Sequence, residues 1–152
     1  MLQLNLPIFE PKLKKIKEDI FIFDLIRKKY LLLTPEEWVR QSFLNYLINH
    51  KGYPFSLMEN EAIIQLNNMT RRCDTVVYNN LLEPLVIIEY KRPDVKIDQQ
   101  VFDQIVRYNI VLRVKFLIIS NGVSHYCCKI NYENQTYDFL ESIPDYSVLK
   151  QD

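Results

Sequence analysis

Glycine is nearly absent, with 2 in 152 residues. So small a supply counts against a phosphate loop of clustered glycines, and the pattern GxxxxGK[ST] does not occur. Cysteine is scarce too. Cys73, Cys127 and Cys128 are odd in number, and two are adjacent, which makes no disulfide framework. No CxxC pair exists, and His50 and His125 are far apart in sequence, so zinc has no evident ligand set. Free thiols in a reducing compartment are the expectation. No apolar run reaches the roughly 18–20 residues of a membrane span, and the start has no signal-peptide core. A cytoplasmic protein with no membrane partner is therefore expected. Net charge is missing as well: 19 Lys+Arg balance 19 Asp+Glu, so no global field draws the molecule onto nucleic acid or lipid.

What is present is globular. At 48% hydrophobic and 25% charged, the chain has the composition of one domain that buries roughly two-thirds of its unfolded surface. The neutral total hides a mildly basic front and middle and an acidic tail; residues 116–152 hold 2 basic and 5 acidic side chains. Lys12/Lys14/Lys15/Lys17, Arg27/Lys28/Lys29 and Arg71/Arg72 form basic clusters that can meet phosphate. Alone, they read as ordinary solvated faces.

Residues 14–23 alternate and then run apolar, which predicts a strand or short hairpin. Thr34-Pro35-Glu36-Glu37 marks a helix start: Thr34 as N-cap, Pro35 at the first helical position, Glu37 completing a capping box. Val39, Phe43, Leu44, Leu47 and Ile48 recur at helical spacing, and Lys51-Gly52 marks the end. Strands are predicted over 61–66, 72–78 and 85–91, with a turn at Asn79-Asn80. LVIIEYK is apolar enough to be a central strand covered on both faces. Residues 98–112 form a helix with Val101, Ile105, Tyr108 and Leu112 on its apolar face. Strands over 115–120, 125–132 and 136–140 follow, with Asn121-Gly122 as a turn. The sum is α/β or α+β: one mixed sheet flanked by helices, with residues 33–140 as core and 1–33 as an N-terminal extension.

Charged residues in apolar strands carry the chemistry. Glu89 and Lys91 alternate onto one strand face. Asp74 precedes Thr75-Val76-Val77, and lies 15 residues before Glu89, a hairpin's separation. Adjacent antiparallel strands then bring both carboxylates to one end of the sheet. Two carboxylates suit Mg²⁺, with Mn²⁺ as a substitute, and a neighbouring lysine stabilises charge on a phosphodiester under attack. The bland alternative is a Glu–Lys pair at a solvated strand end. His125 has a catalytic and a structural reading, of which the structural one is favoured; Trp38 reads as core or rim packing.

Asp74…Glu89-Tyr90-Lys91, followed by Gln104-Ile105-Val106-Arg107-Tyr108, resembles the PD-(D/E)XK nuclease superfamily with its QxxxY helix. With LTPEEWVRQ, GYP, RRCDTVVY, IIEYKRP, FDQIVRYN and ISNGVSHYCCKI, residues 33–137 are similar to the nuclease domain at the N-terminus of the type I restriction enzyme R subunit, in the RecB-like branch. The resemblance implies a restriction-endonuclease-like fold. It implies that Asp74 and Glu89 bind metal, that Lys91 is catalytic, and that Gln104 and Tyr108 support the active site or DNA. It also implies a helix Glu as a further ligand, for which Glu36 is the candidate; first-turn stabilisation of the helix dipole is its rival role. Cys73 stands where the family often has Pro. The ATP-driven motor of a full R subunit has no counterpart in the sequence, so a stand-alone or excised domain is expected. The expected activity is Mg²⁺-dependent hydrolysis of DNA, with DNA and restriction-system subunits as partners. A catalytically silent module that binds DNA or such a subunit is the alternative, and a purely structural module is a third. The oligomeric state is left open, a dimer included.

Overall fold

The computed structural model describes residues 2–66 and 68–151. A small antiparallel sheet comes first: β1 (Leu13–Ile16), β2 (Asp19–Asp24) and β3 (Lys29–Leu32). The hairpin of β1 and β2 lies where the alternation predicts it. The third strand, KYLL, was not anticipated, because four residues after a basic turn carry too little pattern. Tertiary contacts hold it instead. Asp24 is fully buried at the end of β2. Its carboxylate accepts hydrogen bonds from Ile26 N (2.8 Å), Arg27 Nε (2.6 Å) and Asn60 Nδ2 (3.0 Å). Burial pushes its pKa up, but the bonds from Asn60 and Arg27 outweigh that and hold it below the ordinary value.

α1 (Pro35–His50) follows after two residues. Thr34 Oγ1 caps it by accepting from Glu37 N at 3.0 Å. The second half of the expected capping box is replaced. The Glu37 carboxylate accepts from Gln41 Nε2 at 2.9 Å and faces Arg27 at 3.4 Å and Arg40 at 3.6 Å. Two nearby guanidinium groups outbid a backbone N–H for a buried carboxylate. Gly52, at φ +71°, supplies the left-handed residue after the helix.

The remaining chain builds a six-stranded mixed sheet in sequence order. Its strands are β4 (Met58–Leu66), β5 (Met69–Tyr78), β6 (Pro84–Tyr90), β7 (Phe116–Ser120), β8 (His125–Asn131) and β9 (Thr136–Phe139). Among the described residues only β6 and β7 pair in parallel, and α2 (Gln99–Asn109) is their crossover. A short α3 (Tyr146–Leu149) closes the chain. No helix among the described residues is long and apolar enough to cross a membrane.

Alternation along β6 divides the core. Val86, Ile88 and Tyr90 pack with Val39, Phe43 and Leu47 of α1. Ile87 packs with Phe102 and Val106 of α2, together with Leu117 and Ile119 of β7. The strand is thus covered on both faces, as its composition predicts. The α2 face differs from expectation in part: Leu112, in the 3-10 turn that follows the helix, is buried and Ile105 packs against the core, but Tyr108 does not. Phe102, Val106 and Asn109 are the buried residues of the helix, while Tyr108 is 47% exposed. Both sets recur at helical spacing. The choice falls to Phe102, whose ring meets Phe139 at 4.7 Å and Tyr137 at 5.3 Å and so buries the larger surface.

The first residues run along this body. Asn5 N bonds Gly122 O at 2.9 Å, and the Trp38 indole N–H donates to Leu2 O at 2.8 Å. Gly122 has φ +86°, and an added Cβ would sit 2.8 Å from a Leu4 methyl and 3.1 Å from Val39. Gly122→Ala should therefore destabilise the protein by about 1–3 kcal/mol. Gly52→Ala, with a strained φ but nothing within 4 Å of the new methyl, should cost less. Urea melts of the two variants check the order; equal losses would refute the close-approach argument.

Candidate active site

β5 and β6 pair antiparallel up to Thr75↔Ile88. Beyond that point they diverge. Glu61, opposite in β4, sits at φ +55°, between the pairs Asn60↔Thr75 and Ala62↔Cys73. Across this irregularity the strands change faces: Thr75 bonds Tyr90 of the α1 core, whereas Ala62 and Cys73 belong to the α2 core. The divergence frees the backbone N–H of Tyr90 from the ladder. Asp74 Oδ2 takes it, at 2.9 Å. A backbone donor thus fixes one oxygen of the carboxylate at the strand end.

Glu89 stands beside it on the face that looks to α2. Its Oε1 is buried and has no hydrogen-bond partner among the described residues. Burial, then the charge and contact of Asp74, push its pKa up to about 9, and Lys91 only partly opposes them. Burial and the neighbouring Asp74 thus favour the protonated form of the Glu89 carboxyl in the absence of a cation. Cys73 beneath them is pushed up to about 12 by burial, and further by Glu89 and Asp74, so it is an inert thiol. Lys91 is half-buried just past the strand, where its N–H bonds Ser120 O at 2.9 Å.

Helix α2 supplies the facing wall. Glu89, Lys91, Gln104, Ile105, Tyr108 and Asn109 line one cleft of about 290 Å³. Gln104 and Tyr108 are exposed there, one helical turn apart. Tyr108 lies under the Arg71 guanidinium, 4.7 Å from ring centre, and Arg71 Nε donates to Tyr108 O at 3.1 Å. From the α1 side, Glu36 feels Asp74 and Lys91. Its pKa is raised by burial first and by Asp74 second, against Arg40 and Lys91. Among the described residues no three His, Cys, Asp or Glu side chains gather closely enough to hold a metal. Glu36 therefore shares the charge balance of the site without joining a preformed three-carboxylate cage.

Several members were not foreseen. Asn109 lies against Glu89, donates to Ile105 O at 2.9 Å, and leaves its own buried amide oxygen without a partner among the described residues. A polar residue on the Phe102–Val106 stripe was the available signal. Arg40 is 5% exposed, bonds Glu61 Oε1 at 2.7 Å and lies over the Tyr90 ring. Its place amid the Val39–Phe43 stripe was the corresponding sign. His125 is structural: Nε2 meets Asn5 O at 2.9 Å, Nδ1 meets Ser120 Oγ at 2.7 Å, and burial lowers its pKa.

Residues 35–144 match the family model described as the type I restriction enzyme R protein N terminus. Among solved structures, the chain is similar to a fragment assigned to an HsdR subunit of a type I restriction enzyme from Vibrio vulnificus YJ016. That likeness has a TM-score of 0.53 and 16% identity, covering 78% of this chain and 25% of the other. At such identity it speaks for the fold alone, and the chain spans only a quarter of the length of that solved fragment. No curated protein matches the chain.

The Glu89 proton has a measurable consequence. Between the ordinary value of 4.5 and about 9, the folded state binds a proton that the unfolded state has lost. Stability is then full below the lower value and is lost as pH rises through the upper one. In EDTA, the melting temperature should fall from about pH 5 to about pH 9, and Glu89→Gln should flatten that fall because the amide stays neutral throughout. Parallel curves for the two proteins would rule out a protonated Glu89.

Proposed function

Because the chain belongs to the type I restriction enzyme R protein N-terminus family, we propose that it is a Mg²⁺-dependent endonuclease domain that hydrolyses DNA phosphodiesters. The observation that carries this reading is the strand end itself: Asp74 held by a backbone N–H, and Glu89 with a buried, unpartnered oxygen beside it. The donors fit the ion. They are hard oxygens, and Mg²⁺ takes one or two carboxylates and fills the rest of its shell from water and phosphate. Mn²⁺ suits the same set. A cation bound there would lower the pKa of its water and neutralise charge on the phosphodiester.

The chain's own groups do the rest. Asp74 is oriented by the Tyr90 amide, so it loses little freedom on engaging a cation. Glu89 must release its proton to do so, which makes cation uptake rise with pH. Lys91 brings a positive charge to the same cleft, where it stabilises the oxyanion that grows on phosphorus. The Gln104 amide and the Tyr108 hydroxyl line the opposite wall and position the sugar-phosphate chain. Restriction-system context supports DNA and other subunits of such a system as partners.

Supercoiled plasmid with Mg²⁺ or Mn²⁺ is the test. Wild-type protein should nick it. Lys91→Ala should keep cation binding and lose about 10²–10³ in rate, the size of an oxyanion-stabilising contact. Asp74→Asn should abolish cutting yet still bind DNA, since a negative charge facing phosphate is gone. Binding without nicking by the wild type would replace the enzyme with a silent DNA-binding module; neither binding nor nicking would leave a structural module.

A further inference from the structure

We propose that the N-terminal sheet is a second DNA contact, which holds the phosphate backbone through Lys12, Lys14, Lys28 and Lys29. The proposal rests on the nuclease reading only for the identity of the polymer. The family match begins at residue 35, so β1–β3 lie outside it.

Register separates the two faces of this sheet. Ile22 and Asp24 turn inward and are buried. Lys14↔Phe21, Phe21↔Leu32 and Phe23↔Tyr30 pair on the other face, where Tyr30 is 40% and Leu32 49% exposed. The ammonium groups there rest on rings. Lys12 Nζ is 5.3 Å from the Phe23 centroid, Lys14 Nζ is 5.5 Å from that of Tyr30, and the two rings are 5.2 Å apart. Lys28, in the turn at φ +55°, leads into Tyr30; Lys29 stands opposite Asp24, on the inward side of the register, yet is exposed at the start of the edge strand β3. All four lysines are exposed, and none is in an ion pair among the described residues.

Unpaired lysines argue for phosphate over protein. Protein interfaces are depleted of lysine at their core, because a strongly hydrated ammonium is costly to bury. A phosphate backbone takes such cations at its surface, and releases counterions as it does. The rings between them give unstacked bases a platform where the DNA is single-stranded.

Position supports the same occupant. Two residues, Leu33 and Thr34, join β3 to α1, whose first turn carries Glu36 beside the cleft. From Tyr30 to Glu36 the chain reaches at most about 21 Å. One duplex turn is about 34 Å, longer than that span, so a single duplex is long enough to touch both. The sheet is also fixed there, through Asp24–Asn60 and Arg27–Glu37.

The test is a salt titration of binding by the full chain, in EDTA, to a labelled duplex several turns long. Changing Lys12, Lys14, Lys28 and Lys29 together to Gln should weaken binding at least tenfold at low salt. It should also flatten the plot of log affinity against log salt by about 3 to 4, four contacts at roughly 0.9 each. The same four changed to Arg should keep the slope. Lys150→Gln, on the C-terminal turn, calibrates the loss of one unrelated charge, and a thermal melt confirms that each variant is folded. On a single strand, Tyr30→Ala should weaken binding as well. An unchanged slope in the Gln variant, or no binding of either DNA by the wild type, overturns the proposal. A sheet-dependent slope without nicking in Mg²⁺ or Mn²⁺ would sink the nuclease reading and leave this contact standing.

Discussion

Everything in the structure depends on one central strand that is buried on both faces and ends in charge. From Leu85 to Ile88 the side chains of β6 are almost wholly excluded from water, shared between the α1 core and the α2 core. Burial on both faces holds the strand in place, since close-packed interiors have low compressibility. Glu89 inherits that rigidity. A carboxylate on a loop would swing away from Asp74 to escape repulsion. At the end of β6 it takes up a proton instead.

A chain of buried polar groups ties this strand end to the rest. Asp24 accepts from Asn60, whose oxygen accepts from Thr75 Oγ1 at 2.7 Å, and Thr75 meets the Tyr90 hydroxyl at 2.9 Å. Tyr90 N–H then reaches Asp74. The run joins the N-terminal sheet, β4, β5 and β6. Each group in it is bonded, which buried polar atoms require, and a fully bonded network specifies one arrangement of the elements it links. The expectation of residues 1–33 as an extension describes their position in the sequence. In the structure Leu2, Asn5, Asp24 and Arg27 tie the described part of that segment by hydrogen bonds and an ion pair to α1, β4 and the β7–β8 turn.

Charge at the cleft is arranged in layers. Asp74, Glu89 and Glu36 would by themselves repel both one another and a phosphate. Lys91 lies within that group, and Arg40 sits behind it between Glu37 and Glu61. Arg71 and Tyr108 stack on the outer wall. Crowding of these carboxylates raises the pKa of Glu89 and of Glu36, and Lys91 opposes the rise at both.

Local pattern by itself determined a good deal. The β-branched, apolar runs specified the strands. Thr34-Pro35 and Gly52 specified the ends of α1. The 15-residue spacing of Asp74 and Glu89 set them on neighbouring strands where β5 and β6 part, Glu89 near the end of β6 and Asp74 in the middle of the longer β5, and the four-residue spacing of Gln104 and Tyr108 put both on one wall of the cleft. These features are legible because each rests on interactions within a few residues or on a simple period. Tertiary structure decided the rest. Val101/Ile105/Tyr108 and Phe102/Val106/Asn109 fit a helix equally well, and only the rings of β9 selected the second set. Glu37 left its cap for Arg27 and Arg40, partners made by folding. The third strand of the N-terminal sheet pairs with β2, whose Asp24 is bonded to Asn60 of β4, and the β4–β5 ladder is interrupted at Glu61, a residue of another strand, where Asp74 takes the Tyr90 amide. Contacts between residues remote in sequence have no period, and so leave no mark that a single sequence can show.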